Sequence, residues 1–265
     1  MRIGTPGFIG ERLREAREAR GVNGAALADL LGVTRQAISQ YEKGAVTPAP
    51  DVLARMATVL NVPERFFSRP IERGLIGTLF YRSFASATKT ARIRAERRYG
   101  WLREIVHYLD NFLELPEPEF PDADPNPLSL SDADIERIAE EVRWHFGLLS
   151  GPVPSMVVLL ENRGAVVSRF EIGSEALDAF SEWSLLENRP YFILSSEKGS
   201  AVRSRLDAAH ELGHMILHRR VPSELLLHKP SFDLLEAQAF RFAGAFLLPG
   251  QEFSDDFFFP TVNIS

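Results

Sequence analysis

The feature that most constrains this chain is the pentapeptide His210-Glu211-Leu212-Gly213-His214, which lies in a segment of helical periodicity. Histidines four positions apart sit one turn apart on one face of a helix, so both imidazoles can reach a single ion. Zinc binds nitrogen at about 2.0–2.1 Å, which requires both rings to turn toward one point. Glu211 lies beside them and can contact a water molecule as a general base without binding the ion. The pattern therefore predicts a Zn²⁺ site, with a chance match in a structural helix as the alternative.

A catalytic zinc site needs a third protein ligand, and two residues are candidates. His218 lies one turn beyond His214, but three ligands in a row on a straight helix span about 12 Å, which is too long for one ion. Glu236 falls on the apolar face of a later predicted helix, where a carboxylate needs a buried partner. We therefore expect His210, His214 and Glu236 to bind the metal; the alternative is an ion pair between Glu236 and an arginine such as Arg205.

Cysteine usage and hydropathy exclude several classes of protein. The chain has no cysteine, so thiolate metal sites, disulfides and cysteine nucleophiles are excluded. No uninterrupted apolar run approaches the roughly 18 residues that span a bilayer, and the N-terminus lacks the apolar stretch of a signal peptide. We therefore expect a cytoplasmic protein that makes no membrane contact.

Charge is distributed unevenly along the chain. Residues 1–103 carry 18 Lys/Arg against 9 Asp/Glu, a net charge of +9, whereas residues 104–265 carry 12 against 27, a net charge of −15. A basic first part indicates an anionic partner, and an acidic second part repels nucleic acid. Any contact with DNA is therefore expected in the N-terminal part.

Periodicity and turn signals predict three parts: short helices in residues 1–70, a basic helical connector with an acidic Pro-rich linker in 71–128, and a mixed α+β unit with a small sheet in 129–265. In the last part, the runs 156–161 and 165–170 flank an Asn-Arg-Gly turn and predict a β-hairpin. The run 191–196 predicts another strand, which either pairs with an extended peptide or lies in the core. The arginines of the connector either follow phosphates or pair with acidic residues of the second domain.

The N-terminal part resembles XRE-type helix-turn-helix domains. The resemblance covers core, turn and cap positions across the whole segment: Leu27, Ala28, Leu31, Gly32, Val33, Ile38, Tyr41, Glu42, Gly44, Pro48, Leu53, Leu60 and Phe67. It implies that the second helix of the motif enters the major groove of double-stranded DNA. The expected DNA contacts are Thr34, Arg35, Gln36, Ser39, Gln40 and Lys43, because Arg suits guanine and Gln suits adenine. The sequence departs from the family at Gly24, where members often carry a glutamine that helps to hold a phosphate.

The C-terminal part resembles the ImmA/IrrE family of zinc metallo-endopeptidases. The resemblance rests on RSRLDAAHELGHMILH and on EAQAFRFAGAFLLP, in which Glu236, Ala239, Phe242 and Ala243 match the family pattern. It implies a zincin-like, gluzincin-like α+β domain in which His210, His214 and Glu236 bind zinc. It also implies that Glu211 is the catalytic base and that the substrate is a partner helix-turn-helix repressor, whose cleavage derepresses transcription.

Two alternatives to the enzyme remain open. One is a DNA-binding regulator whose metallopeptidase fold binds zinc or a ligand without turnover. The other is an antitoxin-like interaction module that binds a neighbouring gene product and has little affinity for DNA. A homodimer is compatible with each of these hypotheses.

Overall fold

The computed structural model of the chain describes residues 4–71, 88–123, 126–148, 151–173, 178–197 and 199–250. They fall into two compact units, one with the residues up to 71 and residues 88–112, and the other with the residues from 113 onward. The first unit is all-helical and the second is α+β with a small sheet, which confirms the predicted fold class. Among the described residues, no helix combines the length and apolar character that crossing a membrane requires.

The first unit is a set of short helices around one apolar core. Its elements are α1 (Gly10–Ala19), α2 (Gly24–Leu31), α3 (Arg35–Glu42), α4 (Pro50–Leu60), a 3-10 helix (Glu64–Ser68) and α5 (Lys89–Leu109). The turn between α2 and α3 forms because Gly32 adopts a left-handed conformation (φ 63°) and Thr34 caps α3 by accepting from the Ala37 amide at 3.1 Å. This α2–turn–α3 unit is a helix-turn-helix motif.

The helix of the basic connector predicted in residues 71–128 is α5, which begins at Lys89 and packs on α1. Buried Arg12 of α1 donates to Glu104 of α5 at 2.8 Å, and Arg97 of α5 donates to Glu18 of α1 at 2.7 Å. The Arg98 guanidinium donates to the Ala19 carbonyl at 3.0 Å. Several basic side chains of this helix are therefore bound within the first unit. Arg82, another basic residue of the connector, lies outside the described residues.

The second unit places helices against a three-stranded sheet. Its elements are a 3-10 helix (Pro127–Ser129), α6 (Asp132–His145), α7 (Met156–Asn162), β1 (Val166–Phe170), β2 (Ala179–Ser184), β3 (Arg189–Ser195), α8 (Ala201–Leu217), α9 (Ser223–Leu227) and α10 (Lys229–Leu247). A capping box joins Ser131 and Asp134 at the start of α6. The largest apolar core of the unit lies between α6, α8, α10 and the sheet.

The predicted hairpin at 156–170 is wrong in its first half, because residues 156–162 form α7. Ser155 caps this helix, and the buried residues Met156 and Leu160 lie one turn apart on the core side. Burial of that face overrides the strand propensity of the valines. Gly164, with φ 81°, ends the helix rather than forming a hairpin turn, since its amide and that of Ala165 donate back to the last turn of α7.

The sheet has the order β1-β3-β2, with β3 parallel to β1 and antiparallel to β2. The predicted strand at 191–196 is β3, which is central and buried along its whole length. The backbone of β3 is therefore hydrogen-bonded to β1 on one side and β2 on the other, so it cannot pair with a peptide. Strand β2 was not predicted; it has one strand neighbour among the described residues and packs against α8.

Helices α8 and α10 come unusually close at Gly213. A Cβ atom placed there would lie 3.1 Å from the carbonyl oxygen of Ala239 and 3.2 Å from a ring carbon of Phe242. Both neighbours are fully buried, so neither can move aside cheaply. Glycine at this position therefore sets the spacing between the two helices.

We predict that Gly213→Ala lowers the free energy of unfolding by about 1–3 kcal/mol, the usual cost of overpacking a core. The matched control is Gly244→Ala in α10, where a Cβ would meet nothing within 4 Å. That control should raise stability by about 0.5–1 kcal/mol, because alanine favours a helix. Urea denaturation of both variants measures the difference, and equal stabilisation of the two would contradict the proposed close packing.

Candidate metal centre and nucleic-acid interface

Three side chains from α8 and α10 converge on one point in the second unit. His210 Nε2 lies 3.0 Å from His214 Nε2, and the Glu236 carboxylate lies 3.3 Å from the first nitrogen and 3.1 Å from the second. The two histidines are buried and lie one turn apart on α8, as their spacing predicts. Glu236 reaches them from α10, next to the close approach at Gly213. The described residues thus contain a group of His, His and Glu ligand atoms within 4.8 Å of one another.

Charge at this cluster favours a cationic occupant. Burial alone would raise the pKa of Glu236, but hydrogen bonds from His210 and His214 outweigh burial and hold the pKa well below its usual range. Burial would likewise lower the pKa of His210, yet the hydrogen bond with Glu236 and the charges of Glu211, Glu236 and Asp207 raise it. Glu236 is thus stabilised as an anion by positive charge.

A hydrogen-bond relay lies behind His214. The amide nitrogen of Gln238 donates to the Pro127 carbonyl at 2.7 Å, so the amide oxygen faces His218 Nε2 at 3.0 Å and accepts from it. The other ring nitrogen of His218, Nδ1, lies 3.0 Å from His214 Nδ1 and accepts from it when His218 is neutral. In that tautomer His214 carries a proton on Nδ1, and its Nε2 faces the cluster.

Three residues near the cluster have contacts that differ from, or were not part of, the sequence-based predictions. His218, which is excluded as a third ligand by helix geometry, lies directly behind His214. Gln238 was missed, because a buried glutamine on a helix has no local sequence signature. Arg205 is not the partner of Glu236, since its guanidinium donates to the Pro154 carbonyl at 3.0 Å.

The carboxylate of Glu211 is held by strand β2. Glu211 is buried, and its Oε2 accepts a hydrogen bond from Ser181 Oγ at 2.7 Å. Ser181 lies in β2 and was also missed, because nothing in the local sequence distinguishes it from an ordinary strand serine. Phe240, half exposed on α10, places its ring 4.2 Å from that of His210. An aromatic wall and a fixed carboxylate therefore flank the cluster.

The residues predicted to contact DNA lie at the start or on the exposed face of α3. Thr34 is the N-cap, and the side chains that point to solvent are Arg35, Gln36, Ser39, Gln40 and Lys43. Ile38 is buried on the opposite face and packs into the core of the first unit. The helix is thus anchored by one side and displays two cations and two amides on the other.

Comparison with known proteins finds a family match in each unit. A helix-turn-helix family model matches residues 13–67, and the IrrE N-terminal-like domain, a peptidase family, matches residues 160–258. The chain combines an XRE-type helix-turn-helix domain with an IrrE-like domain. The IrrE-like match includes all four residues of the predicted metal and catalytic set.

The curated relatives share a short segment with the chain. The prophage-derived HTH-type transcriptional regulator YonR of Bacillus subtilis is 37% identical over 59 residues, which are 22% of this chain and 55% of that protein. An HTH-type transcriptional regulatory protein of Pyrococcus furiosus is 43% identical over 54 residues, 20% of this chain and 17% of its own length. The chain therefore spans little more than half of the first relative and under a fifth of the second. No solved structure is significantly similar to it.

We predict that Gln238→Leu in the IrrE-like domain lowers the free energy of unfolding by about 1–3 kcal/mol. The change keeps the size of the side chain but removes its hydrogen bonds with the Pro127 carbonyl and with His218 Nε2, the second of which is buried. Chemical denaturation measures this loss, and Gln40→Leu on the exposed face of α3 serves as control. A Gln238→Leu protein as stable as wild type would contradict the relay.

Proposed function

We propose that the chain is a zinc-dependent endopeptidase that cleaves a partner helix-turn-helix repressor and binds double-stranded DNA through its own N-terminal domain. The observation that carries this proposal is the convergence of His210, His214 and Glu236. Two ring nitrogens and a carboxylate at 3.0–3.3 Å require positive charge between them, which a divalent cation supplies when both imidazoles are neutral.

The donor set fits zinc. Two ligands bound at about 2.0–2.1 Å with tetrahedral angles lie roughly 3.3 Å apart, close to the observed separations of 3.0–3.3 Å. The relay presents His214 as a neutral ligand through Nε2, and a histidine ligand commonly donates its other N–H to such a partner. When bound, zinc supplies Lewis-acid chemistry, which polarises a carbonyl and acidifies a water molecule.

The remaining residues account for proton transfer and for positioning of the substrate. Glu211 would take the proton of the attacking water and deliver it to the leaving nitrogen, which requires a carboxylate of fixed orientation. Ser181 provides that orientation through its hydrogen bond at 2.7 Å. Ser181 lies on β2, whose outer edge could add an extended peptide as a further strand. Phe240 offers an apolar surface beside the reacting bond.

A repressor is the proposed substrate because of the family resemblance and the domain arrangement. A protease that carries a DNA-binding domain would be concentrated where other regulators bind, which raises its effective concentration near them. The curated relatives are named as transcriptional regulators. These names support a second candidate, a DNA-binding regulator whose IrrE-like domain holds zinc without turnover.

We expect the purified full-length chain to contain about one zinc ion per molecule. His214→Ala and Glu236→Gln should each lower zinc affinity at least tenfold, because each removes one of three ligands. The control is His145→Ala, which removes an exposed histidine of the same unit. Chelator competition measures the affinities; equal zinc binding by all four proteins would contradict the assignment.

We expect Glu211→Gln to abolish proteolysis while zinc remains bound, with a loss of about 10²–10⁴-fold in rate. The assay incubates the zinc-loaded chain with a panel of helix-turn-helix repressors and detects new N-termini by mass spectrometry. Ser181→Ala should lower the rate about tenfold through misorientation of Glu211, whereas Glu141→Gln on the exposed face of α6 should have no effect. If wild type and Glu211→Gln are equally inert while DNA still binds, the second candidate is correct.

We expect α3 to provide the DNA contacts. Arg35→Ala should cost about 1–3 kcal/mol of binding free energy on a duplex selected by the wild-type chain, because it removes a base contact. Lys43→Ala should weaken binding to all sequences and reduce the salt slope by about 1. Arg55→Ala on α4 is the control, since Arg55 pairs with Asp51 away from α3. Unchanged affinity in the α3 variants would contradict this interface.

A further inference from the structure

A second cleft lies in the IrrE-like unit at the start of α8, apart from the metal centre. It has a volume of about 510 Å³, and none of His210, His214 and Glu236 lines it. Cavities of this size accept small-molecule ligands. Its walls include Arg169 in the parallel strand β1, Ser196 just after β3 and the first turn of α8. Ligands of open sheets bind at this place, beyond the carboxyl ends of parallel strands.

The polar lining of this cleft is cationic and rich in hydroxyl groups. It consists of Arg169, Arg205, Ser155, Ser196, Ser200 and Ser204. The other lining residues are small or apolar, and no carboxylate is among them. This composition contrasts with residues 104–265 as a whole, which carry a net charge of −15. The cleft is therefore a local concentration of positive charge in an acidic part of the chain.

Both guanidinium groups are oriented by hydrogen bonds to neutral partners. Arg169 donates to Ser204 Oγ at 2.6 Å and to the Ser195 carbonyl at 3.5 Å, and Arg205 donates to the Pro154 carbonyl at 3.0 Å. These bonds use a minority of the five N–H donors on each group. Within the part of the chain that the structure describes, neither arginine forms an ion pair with a carboxylate. Their positive charges are thus not neutralised by a carboxylate of the residues that the structure describes.

The serines and the helix add further donors. Ser200 caps α8 by accepting from the Arg203 amide at 3.3 Å, which leaves its hydroxyl proton able to bond to a ligand. The 17-residue helix α8 also directs the positive end of its dipole toward the cleft. Two guanidiniums, several hydroxyl donors and a helix N-terminus together match a ligand with three acceptor oxygens and about two negative charges.

We propose that this cleft binds the phosphate group of a small phosphorylated molecule. A carboxylate offers only two oxygens and one charge, so it would leave donors unsatisfied. The proposal does not depend on proteolysis. Phosphate bound in the cleft would lie close enough to influence the metal centre, because Arg205 precedes His210 by five residues, about 7.5 Å along the same helix.

The test is binding of inorganic phosphate to the full-length chain, measured by isothermal titration calorimetry. Wild type should bind phosphate saturably and at least tenfold more tightly than acetate. The double variant Arg169→Gln/Arg205→Gln should lose at least tenfold in affinity. Arg203→Gln is the matched control, because Arg203 is an exposed arginine of the same helix turn that does not line the cleft; it should bind within twofold of wild type.

The metal centre could itself attract phosphate. A variant at one of its expected ligands therefore distinguishes phosphate binding in the cleft from phosphate binding at the metal centre. His214→Ala should retain phosphate binding within twofold whether or not the chain is a peptidase. Thermal melting verifies that each variant, including His214→Ala at a buried position, is folded. Any one of four results would overturn the proposal. These are absence of phosphate binding in wild type, undiminished binding by the double variant, tighter binding of acetate than of phosphate, and loss of phosphate binding in a folded His214→Ala protein.

Discussion

The chemistry of the second unit depends on how closely α8 approaches α10. Gly213 has no side chain, so the backbone of α10 at Ala239 can lie against it. Glu236 lies one turn before Ala239, and this spacing brings its carboxylate to the two imidazoles of α8. A wider separation would leave the carboxylate in water and the imidazoles facing apolar core. The glycine within the pentapeptide is therefore as much a part of the site as the histidines that flank it.

Burial of so many polar groups requires that nearly every one has a partner. The relay from His214 through His218 and Gln238 ends on the Pro127 carbonyl, outside the helices that carry the ligands. A chain of hydrogen bonds that ends on a carbonyl has a single proton arrangement when both imidazoles are neutral. The segment before α6 thus helps to determine which nitrogen of His214 faces the cluster, although it is distant in sequence.

Local patterns predicted most of the helices and the grouping of the three expected ligands, whereas tertiary contacts determine the other features. His210 and His214 are recognisable because helix geometry relates them directly, and Glu236 because a carboxylate on an apolar face requires a partner. Ser181 and Gln238 could not be found in this way, since their roles come from contacts across 30 and 20 residues. The run 156–161 was mistaken for a strand because its valines favour strands, while burial of Met156 and Leu160 favours a helix.

Counting charges along the sequence likewise does not show which of them are paired in the folded chain. The net charge of +9 over residues 1–103 overstates what can face DNA, because Arg12 and Arg97 are neutralised by acidic residues inside the first unit. The cations that matter for nucleic acid are those that no carboxylate opposes, and α3 displays Arg35 and Lys43 on its exposed face. Among the exposed arginines that the structure describes in the acidic second part, the same criterion selects Arg169 and Arg205. Pairing of charges in space, rather than their sum along the chain, therefore indicates where an anionic partner can bind.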